Sequence, residues 1–222
     1  MKISDKTFDI LKNFSTINPS IIVKSGNKIR TVSEQKNILA QAIVEEQFPY
    51  DFAIYELNQF LGLASIFDNA NADFLFSEKD ITISEGDNAS TYTYTDPSMV
   101  TAPPDQNLEL PSVEVDFRLA YSDLKRVIDG ANQLNLPEII IMGSDGKVEL
   151  VANDSKNPTS NTFRFDLNLP TNDTYQFVFK VEALKMIQDD YEVKISKRGV
   201  SHFKGSYSQY WIATEAGSNY HE

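Results

Sequence analysis

The groups that could carry nucleophilic, acid–base or metal chemistry are few. The chain has two histidines and no cysteine. His221 stands beside the C-terminus, where side chains are usually mobile. His202 falls near a turn in a predicted strand, the setting of a solvated or half-packed imidazole. Neither has zinc-site spacing around it, and no Gly-x-x-x-x-Gly-Lys runs into a Ser or Thr to cradle a phosphate. Without cysteine there is no disulfide framework, thiolate metal site or cysteine nucleophile. The adjacent carboxylates are Glu45-Glu46 and Asp189-Asp190. Neighbours on a strand point to opposite faces, and neighbours in a turn are solvated, so neither pair reads as an acid–base couple. A carboxylate-bound magnesium ion stays open at the level of sequence. The inventory indicates a binding or scaffolding protein, with no catalytic residue, metal or cofactor expected.

Charge constrains the partner. The 222 residues carry a net charge of -12 and are 41% apolar, a globular composition. Such a chain is repelled on average by a nucleic-acid backbone. Any contact with one must come from a local basic surface and be weak and salt-sensitive. No apolar run approaches the roughly 20 residues of a membrane helix. Met1-Lys2-Ile3-Ser4-Asp5-Lys6 has no signal-peptide core, so an intracellular setting without membrane is expected.

The elements are legible by period. Asp5 to Phe14 reads as a helix with Phe8, Ile10, Leu11 and Phe14 inward and Ser4 as N-cap. Ile21 to Lys24 and Lys28 to Ser33 read as a hairpin about Gly26. Strands follow at 39–44 and 51–55, a short helix at 56–66, and three strands near 73–76, 81–84 and 89–94. Four of the nine prolines (Pro97, Pro103, Pro104 and Pro111) mark an extended connector over 95–111. A strand at 113–119 and a helix over 121–134 come next. A hairpin is predicted at 139–142 and 147–151, strands at 162–169 and 175–180, and a short helix at 181–187. Strands near 191–196, 200–205 and 209–215 close the chain.

That order occurs twice. Residues 10–29 run helix end, break at Pro19, apolar strand, tight turn. Residues 127–148 do the same, with the break at Pro137. Phe52-Ala53-Ile54-Tyr55 before one short helix parallels Phe177-Val178-Phe179-Lys180 before the other. A repeat of this length predicts one structural unit built twice. The expected division is 1–94, connector 95–111, and 112–222, an α+β chain. The polar faces of the long helices mix signs: Lys6 and Lys12 with Asp9, and Lys125 and Arg126 with Asp129.

Several stretches resemble the DNA-polymerase sliding clamps of T-even-type tailed bacteriophages, which share the fold of proliferating-cell nuclear antigen. They are Met1-Lys2 with Ser4, Leu11-Lys12-Asn13-Phe14, Thr16-Ile17-Asn18 and Lys24-Ser25-Gly26. Ala53-Ile54-Tyr55, Leu57-Asn58 and Phe60-Leu61-Gly62 continue the likeness. So do Asp96-Pro97-Ser98, Val100 and Ala102-Pro103, and more thinly Glu215-Ala216. Tyr92-Thr93-Tyr94, Glu45-Glu46-Gln47 and the helix after Val181 depart from the pattern.

The resemblance implies a DNA-clamp fold: two similar domains per subunit, each with two helices on the inner face of antiparallel sheets. It implies a homotrimeric ring around duplex DNA, loaded by an ATP-driven clamp loader and tethering the polymerase, in the cytoplasm of an infected bacterial host. It makes Lys6, Lys12, Lys125, Arg126 and Lys185 DNA-facing. It places Val100, Leu108 and Leu110 at a partner site on the connector, where the same side chains equally suit packing onto their own sheet. It pairs the strand of Ala89, Thr91, Tyr92 and Tyr94 in one subunit with that of Phe163 and Phe165 in the next. The residues alone also allow an acidic, non-ring module that sequesters a DNA-binding protein, and a hydrolase with an unrecognised carboxylate site.

Overall fold

The chain forms two compact units: Met1–Asn107 with Tyr207–Gln209, and Leu108–Ser206 with Tyr210–Glu222. The computed structural model describes residues 1–106 and 108–221.

In the first unit, helix α1 (Asp5–Ser15) begins where the Ser4 side chain accepts from the Thr7 amide. Phe8, Ile10, Leu11 and Phe14 are buried by the helical spacing of apolar residues. Strand β1 (Ile21–Val23) pairs antiparallel with β4 (Phe52–Ile54), and β2 (Gly26–Val32) pairs with β3 (Ile38–Phe48). The expected hairpin of β1 with β2 is therefore corrected: the partner of β1 lies some thirty positions downstream. The turn at Gly26 (φ 108°) instead starts β2, with the Ser25 amide held by the Asp51 carboxylate at 2.7 Å. Helix α2 (Leu57–Ala64) follows, packed on α1. Strands β5 (Asp73–Phe76), β6 (Asp80–Glu85) and β7 (Asn88–Thr93) then form a meander. The N-terminus continues that sheet: the Met1 ammonium donates to the Phe74 carbonyl and the Phe74 amide to the Met1 carbonyl.

The second unit repeats this plan. Strand β8 (Val115–Leu119) pairs with β13 (Tyr191–Ser196) as Met1 does with β5. Helix α3 (Tyr121–Gln133) packs on the hairpin of β9 (Glu138–Ser144) and β10 (Lys147–Asn153) and on β11 (Phe163–Pro170). The hairpin turn is Asp145-Gly146, both at positive φ, as its two-residue length demands. Strand β12 (Thr174–Lys180) pairs with β9, and the short β16 (Asn219–His221), not foreseen in the sequence, adds to β12. Strands β13, β14 (Val200–Lys204) and β15 (Ser208–Ala213) form the second meander.

The correspondence reaches single hydrogen bonds. The Pro19 carbonyl accepts from the Leu57 amide at the start of α2, and the Pro137 carbonyl from Val181 at the matching place. There the expected fourth helix is only a 3-10 turn, Val181–Leu184. It stops because the next residues are tied elsewhere: the Ile187 amide donates to the Tyr210 hydroxyl, and the Tyr191 hydroxyl donates to the Ile187 carbonyl. Each unit has an aromatic core. Phe48, Phe52 and Phe76 meet in the first, and Phe179, Phe203, Tyr191 and Tyr210 in the second.

Candidate functional site

The helices present mixed charge with no excess of either sign. Helix α1 carries Asp5 and Asp9 against Lys6 and Lys12. Helix α3 carries Asp123 and Asp129 against Lys125 and Arg126. Helix α2 has no charged residue, and Glu182 in the 3-10 turn is balanced by Lys185 directly after it. These segments thus contribute nothing to the net charge of -12, all of which resides in strands, turns and connections.

Each predicted cation is engaged. Lys12 Nζ lies 3.6 Å from Asp9, and Lys185 Nζ donates to Glu182 at 3.0 Å. Lys125 Nζ donates to Asp129 one turn on. That hydrogen bond, and next the carboxylate's charge, raises the Lys125 ammonium above its ordinary value. The Arg126 guanidinium lies 5.2 Å from the Phe165 ring centre, and the Lys6 ammonium 3.9 Å from that of Tyr207. Spacings of three and four residues bring the ion pairs together on the helix surface.

The adjacent carboxylates have a structural task that sequence reasoning missed. Glu45 is exposed, whereas Glu46 is buried and accepts from the Ser4 amide and the Thr7 hydroxyl, both at 2.6 Å, at the start of α1. Asp190 accepts from the Tyr121 amide at 2.9 Å, at the start of α3. Both satisfy N-terminal helix donors from a distant strand or loop, a pairing that no local capping pattern reveals. Asp189 binds the Ser206 amide and hydroxyl.

Burial pushes the Glu46 carboxyl up, but the hydrogen bonds from Thr7 and Ser4 outweigh it and hold the group below its ordinary 4.5. A carboxyl depressed on folding stabilises above its unfolded value, and that contribution is lost as pH falls through the lower folded value. We therefore expect Glu46→Ala to cost about 1–3 kcal/mol near neutrality. The cost should shrink as pH drops below about 4.5, read by urea unfolding of both proteins across that range.

Among the described residues β7 and β11 are end strands with no partner on one side, as β2, β8 and β16 also are. The Tyr94 amide donates to the Lys79 carbonyl, and the register pairs Tyr92 with Ile81. Antiparallel alternation then commits the amides of Tyr92 and Tyr94 to their own sheet. Those of Ala89, Thr91 and Thr93 point out of the open edge. The Tyr92 ring packs edge-on to Phe60 and the Tyr94 ring stacks on Phe52. Burial pushes the Tyr94 hydroxyl well up. On β11, Phe165 lies under Arg126, and Phe163 lies where a Cβ on Gly130 of α3 would meet its ring at 2.8 Å.

The connector begins with a 3-10 turn, Pro97–Met99, and is strapped to the first unit. Arg30 donates to the Pro104 carbonyl at 2.6 Å and the Gln106 carbonyl at 3.4 Å, and Lys24 pairs with Asp105 at 2.7 Å. Val100 is buried in that unit, whereas Leu108 is exposed and Leu110 half-buried in the second. His202 stacks flat on Trp211 at 4.5 Å. Among the described residues no cluster of three or more His, Asp or Glu is placed to hold a metal ion, and no helix is long and apolar enough to cross a membrane.

Residues 2–101 match the family described as DNA polymerase processivity factor, and residues 116–216 the one described as gp45 sliding clamp, C terminal. The sliding clamp of Vibrio phage KVP40 is 34% identical over 97% of this chain and the whole of that protein. The chain belongs to the sliding-clamp family. The sliding clamp of Enterobacteria phage T4 is 29% identical, covering 99% of both chains. The fold likeness extends further: A. fulgidus PCNA, solved with the C-terminal region of FEN-1 bound, superposes with a TM-score of 0.71 at 12% identity over 96% of each chain. This family member is thus a processivity factor of phage DNA replication, whose task is to tether a DNA polymerase. Such a task asks for docking surfaces and not for a reaction centre, in keeping with the binding-protein reading of the residues.

Proposed function

We propose that three copies of this chain close head to tail into a ring around duplex DNA, in the cytoplasm of an infected bacterium. The division 1–94, 95–111 and 112–222 would be its working organisation. The observation that carries this reading is the unpaired edge of β7 and of β11, chosen among the end strands because the family resemblance pairs these two. β7 belongs to the first unit and β11 to the second, so one copy's β7 joins the next copy's β11. A joint between two different surfaces closes into a ring when its rotation allows. Lys6, Lys12, Lys125, Arg126 and Lys185 would face the duplex from helical segments with no net charge, giving weak phosphate contacts indifferent to sequence. Topological linkage then holds the polymerase near its template at high effective concentration.

Leu108 and Leu110 are the accessible part of the proposed docking site for the polymerase and an ATP-driven loader, with Val100 anchoring the start of the connector in the first unit. The peptide seated on a PCNA supports docking of this kind. The test is retention on nicked circular plasmid after loading, before and after linearisation, with native mass spectrometry over a range of concentrations. A trimer held by circles and shed by linear ends is the expected result. A monomer indifferent to DNA topology would support the acidic sequestering module instead.

A further inference from the structure

We propose that Asp9, Asp129 and Glu182 are resident competitors for phosphate, each occupying a lysine that would otherwise grip the DNA backbone, and that together they set how freely the clamp moves along duplex. The inference rests on the helices facing DNA, as in the reading above. The three pairs share one arrangement in three separate segments. Asp9 and Lys12 are three residues apart, Lys125 and Asp129 four, and Glu182 and Lys185 three. All six side chains are well exposed, from 43% for Lys185 to 79% for Glu182.

Exposed ion pairs contribute little to stability, so these carboxylates are not accounted for by holding the fold. What they do alter is the local field. A phosphate approaching Lys12, Lys125 or Lys185 must displace a tethered carboxylate, which then stays beside it as a repelling neighbour. The counterions released on binding are those condensed on the duplex, and a lysine whose charge is offset by a carboxylate neutralises phosphate less fully, so fewer are released and non-specific binding gains less. Phosphate contacts therefore form and break with little net gain at any position. The remaining helical acids differ from these three: Asp5 accepts from Asn69 at 3.2 Å, and Asp123 is half-buried. Helix α2, with no cation, carries no carboxylate either.

The experiment compares the full-length protein with the triple variant Asp9→Asn, Asp129→Asn, Glu182→Gln. A control variant removes as many exposed acids away from the helices: Glu34→Gln, Glu78→Gln, Asp145→Asn. Binding to a fluorescent duplex is followed by anisotropy between about 50 and 200 mM salt. The helix variant is expected to bind about tenfold tighter or more at the low-salt end, with a steeper dependence of log K on log salt by about one unit or more. Its diffusion on stretched DNA after loading should slow in step, while the control stays within about twofold of wild type. An unchanged salt slope in the helix variant, or equal tightening in the control, overturns the proposal. The ring reading is judged separately by retention of the wild-type protein on circles over linear DNA, which neither of those outcomes touches.

Discussion

Thr91→Pro is expected to leave the subunit folded and abolish the ring. The Thr91 amide points out of the open edge of β7, so proline removes no backbone hydrogen bond of the sheet and loses only the exposed 3.3 Å contact of the Thr91 hydroxyl with that of Thr82. Edge positions whose amide faces solvent are where strands tolerate proline. What proline removes is a donor to the neighbouring copy, and its ring obstructs approach of the other strand. Loss of a hydrogen bond contributes about 1 kcal/mol and the steric block adds to it. Association should therefore weaken about ten- to a hundredfold at each joint. Native mass spectrometry should show monomer at concentrations where a trimer is expected of the wild type, with a cooperative melting transition retained and no retention on circular DNA. Tyr92→Pro is the matched control. Its amide is committed to β6, so it should lose stability as well as assembly. If Thr91→Pro remained trimeric, β7 would not be part of the joint.

Gly143→Ala should cost stability at the upper end of the usual range for overpacking, about 3 kcal/mol. Gly143 lies on β9 directly opposite Tyr175 of β12. A Cβ there would stand 2.4 Å from the tyrosine ring. The ring cannot retreat cheaply. It is 3% exposed, packed against Phe177 at 5.7 Å and stacked with Tyr220 of β16 at 6.2 Å. Backbone freedom is not the issue, because Gly143 has ordinary strand geometry. The missing side chain is the space the tyrosine fills. Denaturant titration should show an earlier midpoint. Because the displaced ring carries Tyr220, amide exchange over Asn219–His221 should accelerate more than elsewhere. An alanine variant as stable as wild type would mean that the aromatic stack slides as a unit.

The architecture was readable because its signals are local. Proline breaks at Pro19 and Pro137, apolar faces of period 3.6 and the Asp145-Gly146 turn each act within a few residues, and their recurrence exposed the duplication. What escaped reading depends on contacts distant in sequence. β1 resembles the first arm of a hairpin because its counterpart β9 is one, but its ladder runs to β4. The segment after Val181 has a helical pattern, yet Tyr191 and Tyr210 seize Ile187 before a second turn can form. The carboxylates of Glu46 and Asp190 look solvated beside their neighbours, and only the folded chain brings the helix starts to them. The charge balance of the helices was half visible. Lys12 with Asp9 and Lys125 with Asp129 were evident as mixed signs, but the seating of Lys6 on Tyr207 and Arg126 on Phe165 needed the strands in place. The open edges were found by strand order, whereas which amides face outward required the register.

The strap across the first unit has an evolutionary corollary. Arg30 takes hold of carbonyl oxygens at Pro104 and Gln106, groups that every residue type supplies. Apart from Asp105, which pairs with Lys24, the side chains along that stretch are therefore released from the duty of keeping its path. They can drift toward whatever a new replication partner prefers while the route of the chain stays put, so mutational cost concentrates on Arg30 and the Lys24–Asp105 pair and leaves the rest of the surface they anchor free to vary.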